Sequence, residues 1–155
     1  MSRRKELLSL MNIDVSWMRD ELLSNYNQIN IDELKLMAVN CHKCELSKTR
    51  NKVVFGKGST NARIMIIGEA PGKDEDLSGE PFVGRAGKLL TEILFSMNLT
   101  RENVYITNTV KCRPPENRNP NSNEISSCSN YLDQQINLIS PNVIILLGKV
   151  AAERL

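Results

Sequence analysis

The sequence predicts an α/β fold, a three-layer α/β/α sandwich on a short parallel sheet, and two patterns carry that prediction. Short apolar runs, Ile64 to Ile67, Val104 to Ile106 and Val143 to Leu147, stop too soon for helices and read as buried strands. Between them lie longer segments with helical apolar spacing: Leu89, Leu90, Ile93, Leu94 and Met97, then Ile125, Cys128, Leu132, Ile136 and Ile139. Strand and helix in alternation imply parallel strands with helices on both faces.

Residues 1–38 contain neither glycine nor proline and read as an N-terminal helical extension, with the main domain expected over 39–155. Leu22, Leu23 and Tyr26 fit one helix face, and Ile31, Leu34 and Ala38 a second helix begun near Asp32. Trp17 and Met18 are expected to pack on the main domain or on a protein partner. After a polar segment to Thr60, the first strand ends at Gly68, and Pro71 and Gly72 open a long irregular loop. Gly84 and Gly87 lead from it into the next helix, which breaks near Asn98 and Arg101. The second strand runs on to Thr107 and Asn108. Pro114, Pro115 and Pro120 exclude regular structure from the Lys111 to Glu124 loop. Pro141 stops the following helix, and the third strand closes at Gly148. The sequence ends at Leu155, inside what reads as another helix, so a sheet truncated at its C-terminal edge is expected.

A chain of 155 residues accommodates one domain with a genuine core, and a net charge of +2 does not by itself announce nucleic acid. Arg3, Arg4 and Lys5 precede apolar residues, as in a signal peptide, but Glu6, Asn12 and Asp14 interrupt the run. No stretch approaches the length of a membrane span. The expectation is a cytoplasmic monomer whose four cysteines are thiols or metal ligands rather than disulfides.

Two stretches carry chemistry. Cys41 and Cys44 form a CxxC pair, while Cys112 and Cys128 stand singly, which fits neither a two-knuckle zinc ribbon nor a thioredoxin-like pair. Four converging thiolates hold zinc or a [4Fe–4S] cluster, and unrelated buried cysteines are the alternative. The second stretch is the loop from Gly68 to Gly87, at the carboxyl end of a strand, where α/β folds bind ligands. Phe82 offers a ring face to a flat ligand, and Arg85 and Lys88 stand at a helix start suited to phosphate.

The motifs GEAPG at Gly68 to Gly72, Glu75 with Asp76, GEPFVGRAG at Gly79 to Gly87, YITNTVKCRPPENR at Tyr105 to Arg118, and Leu147 with Gly148 together resemble the family 4 uracil-DNA glycosylases, the iron–sulfur branch of that superfamily. The resemblance covers about Cys41 to Leu155. It implies a uracil-DNA glycosylase-like fold, hydrolysis of the bond between uracil and deoxyribose in single- or double-stranded DNA, and a place in base excision repair. It also implies that Cys41, Cys44, Cys112 and Cys128 bind a [4Fe–4S] cluster, with zinc the lesser alternative.

By the same resemblance, Phe82 stacks on a uracil flipped out of the duplex, and Asn108 reads its edge. Gly68 and the backbone around Glu69, Ala70 and Pro71 contact the base and position water. Ala70 stands where other uracil glycosylases carry a water-activating residue, which leaves Glu69 as a weak base candidate. Glu75 is expected near uracil C5, against the methyl group of thymine. Arg85, Lys88, Arg113 and Arg118 are expected on DNA phosphates. The family's histidine, proline and serine motif, which donates toward uracil O2, has no counterpart, because the chain's one histidine is His42, between two cysteines. A glycosylase is therefore expected, with a weak or inactive iron–sulfur nucleic-acid-binding module as the alternative.

Overall fold

A computed structural model describes residues 29–155, so the expectations for Trp17, Met18, Leu22, Leu23 and Tyr26 lie outside the described residues. Its strands are β1 (Lys57–Gly58), β2 (Ile64–Gly68), β3 (Tyr105–Asn108) and β4 (Val143–Leu146). They form one sheet in the order β1, β3, β2, β4. The three expected strands run parallel, with Gly68 opposite Asn108 and Ile66 opposite Ile145. The sheet also gains a strand that the sequence did not announce: β1 pairs antiparallel to β3 at the edge.

Alternation along β2 sorts the core into two layers. Met65 and Ile67 pack on one face with Tyr105, Leu132 and Ile139, and Ile66 packs on the other with Leu90, Leu94 and Ile106. The helices are α1 (Ile31–Val39), α2 (Leu46–Thr49), α3 (Lys73–Ser78), α4 (Arg85–Ser96), α5 (Ser122–Ile139) and α6 (Lys149–Arg154). Helix α5 covers the first face and α4 the second, as a three-layer sandwich requires. Only part of the apolar pattern on α4 meets the sheet: Leu90 and Leu94 are buried, whereas Leu89, Ile93 and Met97 are exposed.

Two expectations change, and helix α1 lies within the compact unit Ile31–Leu155. Its Ile31 packs against the core, and the Tyr131 hydroxyl on α5 donates to the Met37 carbonyl at 3.3 Å. The loop after Gly68 is not irregular throughout, because α3 forms within it and ends at Gly79, whose φ of 84° reverses the chain. The proline loop contains a short 3-10 turn, Pro115–Asn117, with proline at its first position where no N–H is needed.

Two buried polar groups fasten the layers. Gln135 on α5 donates from Nε2 to the Phe55 carbonyl at 2.8 Å and to the Tyr105 hydroxyl at 3.1 Å, while its Oε1 accepts from Thr107 Oγ1 at 3.3 Å. One side chain thus joins α5, β3 and the segment before β1. At the start of α5, Glu124 and Asn121 exchange hydrogen bonds between side chain and backbone at 2.8 and 2.9 Å. Arg118 adds a pair of charge-assisted bonds to the same carboxylate at 2.9 and 2.6 Å.

Replacing Gln135 with Leu strands the amide's partners, and we expect a loss of about 1–3 kcal/mol in urea unfolding. Arg118 holds the Glu124 carboxyl below its ordinary range. The stabilisation is present above the unfolded pKa, about 4.3, and is lost as pH falls through the lower folded value. Thermal melts should therefore show Glu124→Gln less stable than the native chain at neutral pH, with the difference closing in acid.

Candidate functional site

The carboxyl ends of β2 and β3 open into a cavity of about 330 Å³. Phe82 and Asn108 face it, together with Ala70, Glu75, Gly84 and Arg85. Gly68, the last residue of β2, explains how the first two meet. A Cβ on Gly68 would stand 2.5 Å from Asn108 Oδ1 and 2.5 Å from Phe82 Cζ, so any larger residue would drive the amide and the ring off the strand end. Parallel pairing with β2 puts Asn108 at that level. Thr109 then ties the two strand ends, donating its N–H and its hydroxyl to the Gly68 carbonyl at 2.8 and 3.0 Å. Among the described residues, the Asn108 carboxamide makes no hydrogen bond within the protein.

The loops around the cavity are held by adjacent carboxylates at the start of α3. Glu75 Oε1 accepts the N–H groups of Val83 and Gly84, both at 2.9 Å, and Oε2 accepts that of Gly72 at 3.1 Å. Asp76 is buried and accepts the Asn51 N–H at 2.9 Å, the Asn51 side-chain amide at 2.5 Å and the Lys52 N–H at 3.4 Å. Glu75 thus places negative charge beside Gly84, the residue that precedes α4. Gly87 completes the packing: a Cβ there would lie 1.7 Å from the Phe82 carbonyl oxygen.

The remaining expected site residues divide. Arg85 lines the cavity, whereas Lys88 is exposed beyond its wall. Pro71 is buried and Glu69 half-buried, and neither side chain forms part of the wall. Arg113 donates to Asn117 Oδ1 at 2.7 Å, and Asn117 itself faces the cavity. Arg118 directs its guanidinium to Glu124 and to the Asn119 carbonyl. Lys73, Asp74 and Asn117 join the wall without having been singled out in the sequence, which shows their charge or polarity but not their direction.

Behind the cavity, Cys41, Cys44, Cys112 and Cys128 line a single hollow with Arg50, Lys111 and Tyr131. The loop between α1 and α2 brings the first pair, the segment after β3 brings Cys112, and α5 brings Cys128. Donors point at the sulfurs: Arg50 Nη1 stands 3.2 Å from Cys112 Sγ, and the Lys111 N–H 3.4 Å from Cys128 Sγ. Burial pushes the free Cys112 thiol up to about 11, against the pull of Arg50, and raises Cys128 as well. Burial also pushes Lys111 down to about 8, opposed by Cys128 and Cys112. The Lys111 ammonium donates to Thr107 Oγ1 at 2.8 Å and to the Asn108 carbonyl at 2.7 Å, so one residue spans the hollow and the base of the cavity. Among the described residues, no three such ligands converge on a single-ion geometry.

Comparison with known proteins agrees with this geometry. The description "Uracil DNA glycosylase superfamily" matches residues 55–155. A type-4 uracil-DNA glycosylase of Archaeoglobus fulgidus is 53% identical over 124 residues, 80% of this chain and 62% of that protein. Another, of Pyrobaculum aerophilum, is 48% identical over 127 residues, 82% of this chain and 65% of the relative. A type-5 uracil-DNA glycosylase of the same organism is 33% identical over 109 residues, 61% of this chain and 48% of its own length. The chain thus spans less than two thirds of the length of these relatives. With the ring and the amide in one cavity beside the strand-end glycine and the match running over most of the described residues, the chain belongs to the uracil DNA glycosylase superfamily.

Proposed function

We propose that this chain carries the uracil site of a DNA glycosylase that hydrolyses the bond between uracil and deoxyribose, leaving an abasic site for base excision repair. The observation that supports it most is the meeting of the Phe82 ring and the Asn108 carboxamide over Gly68. A base inside a duplex cannot reach such a cavity, so the substrate nucleotide is extruded or already single-stranded. Phe82 stacks on the base, an interaction worth about 1–3 kcal/mol. Asn108 then accepts from uracil N3–H and donates to O4, and cytosine, with an acceptor and a donor exchanged, is refused. Glu75 holds the loop that carries Phe82 and borders the space where a thymine methyl group would lie.

Bond cleavage develops positive charge on the sugar and negative charge on the departing uracil. The backbone around Gly68, Glu69, Ala70 and Pro71 contacts the base and positions water, with Glu69 the carboxylate of that segment. Arg85, Lys88 and Arg113 meet DNA phosphates, whereas Arg118 acts chiefly by fixing its loop through Glu124. Cys41, Cys44, Cys112 and Cys128 suit a [4Fe–4S] cluster better than a single zinc ion. They surround one hollow, and N–H donors face two of the sulfurs. Bound there, the cluster supplies a structural link between the α1–α2 loop, the segment after β3 and α5.

A second reading, uracil binding without hydrolysis, draws on His42, which is exposed between two cysteines and absent from the cavity wall. Uracil release from a single-stranded oligonucleotide, by chain purified without oxygen, separates the two. Release supports the glycosylase, and selective binding without release supports the binding module.

Asn108→Ala should lower uracil release by roughly 100-fold, and abolish selectivity for uracil over cytosine, while retaining the metal. Loss of metal in that variant would assign Asn108 a structural role instead. Elemental analysis of the purified chain should give iron rather than zinc, and removing it with a chelator should lower thermal stability.

A further inference from the structure

Arg101 lies between α4 and β3 and does not line the cavity, yet its guanidinium reaches back to the turn that carries Phe82. Nη1 donates to the Phe82 carbonyl at 3.0 Å and Nη2 to the Pro81 carbonyl at 2.6 Å, so the fork grips two successive backbone oxygens. Nη1 also lies 3.3 Å from Thr91 Oγ1, and that hydroxyl donates to the Gly87 carbonyl at 3.0 Å. The turn needs holding. Phe82 has a φ of 54°, in the left-handed region that bulky residues avoid, and relaxing it would carry the ring away from Gly68.

We propose that Arg101 is a positioning residue for uracil recognition: its grip on the Pro81 and Phe82 carbonyls fixes the left-handed turn that presents the Phe82 ring over Gly68. The role in recognition rests on the uracil reading of the cavity, whereas the grip itself is a property of the turn. A lysine keeps the positive charge but cannot reproduce the fork, so charge and geometry separate by substitution. Arginine here acts through the backbone of its neighbours.

The ring lies against Gly68, so the Gly68 α-protons report its position by nuclear magnetic resonance with no ligand present. In the full chain, those resonances should be shifted by the ring. Arg101→Ala should lose most of the shift, and Arg101→Lys, which also serves where the alanine variant does not fold, should retain part of it. Affinity for a single-stranded oligonucleotide with one uracil should fall roughly tenfold in Arg101→Ala, the scale of a lost stacking contact, while affinity for the matching thymine oligonucleotide stays nearly constant. Unchanged Gly68 resonances would overturn the inference. An equal loss on both oligonucleotides would also overturn it, by making Arg101 a phosphate contact. Shifted resonances with unchanged uracil affinity would instead refute the uracil reading of the cavity, leaving Arg101 as the clamp of the turn.

Discussion

Two neighbouring carboxylates at the start of α3 hold the site together. Glu75 gathers Gly72, Val83 and Gly84, and Asp76 gathers Asn51 and Lys52. Between them they fasten three segments that no β-ladder joins. Each carboxylate accepts from several backbone N–H groups, and charge-assisted bonds of this kind are stronger than neutral ones. Helix α3 has few apolar residues, and its one leucine, Leu77, is exposed. Its place is set by polar bonds, and the cavity's near wall follows from it.

Lys111 does the corresponding work at the base of the cavity, behind Asn108. Its ammonium is buried and, among the described residues, bonded only to the neutral oxygens of Thr107 and Asn108. An ammonium buried on these terms is costly unless negative charge lies near. The neighbouring Cys112 and Cys128 supply it once they are thiolates. The four-cysteine hollow and the carbonyl of Asn108 are therefore electrostatically joined through one side chain.

Much of this could be read in the chain, and the rest could not for specific reasons. Strands β2, β3 and β4 are apolar runs with clear ends, so length and composition identify them. Strand β1 consists of Lys57 and Gly58 and has no pattern to find. Helix α3 escaped because its sequence is nearly all charged or polar, and periodicity needs apolar residues. The spacing of Ile31, Leu34 and Ala38 announced a helix face but not its partner on α5. Phe82 and Asn108 were legible as an aromatic in a glycine loop and an amide at a strand end. Glu75 was expected beside uracil and Arg118 on DNA phosphate, while Arg101 marked only the break after a helix. Sequence does not reveal that all three spend that charge on the protein's own backbone and side chains.

The spread of the four cysteines along the chain has a consequence for synthesis. Cys41 and Cys44 leave the ribosome long before Cys128, and the hollow has no third wall until α5 forms. Domains made at about 5–20 residues per second leave a window of seconds in which the early pair stands exposed without its partners. The four-cysteine hollow is closed late, by a chain that has already begun to pack its sheet. The interval before closure is when these thiols are open to oxidation or to a competing ion, so the quality of the finished protein depends on conditions during its making as much as on its final fold.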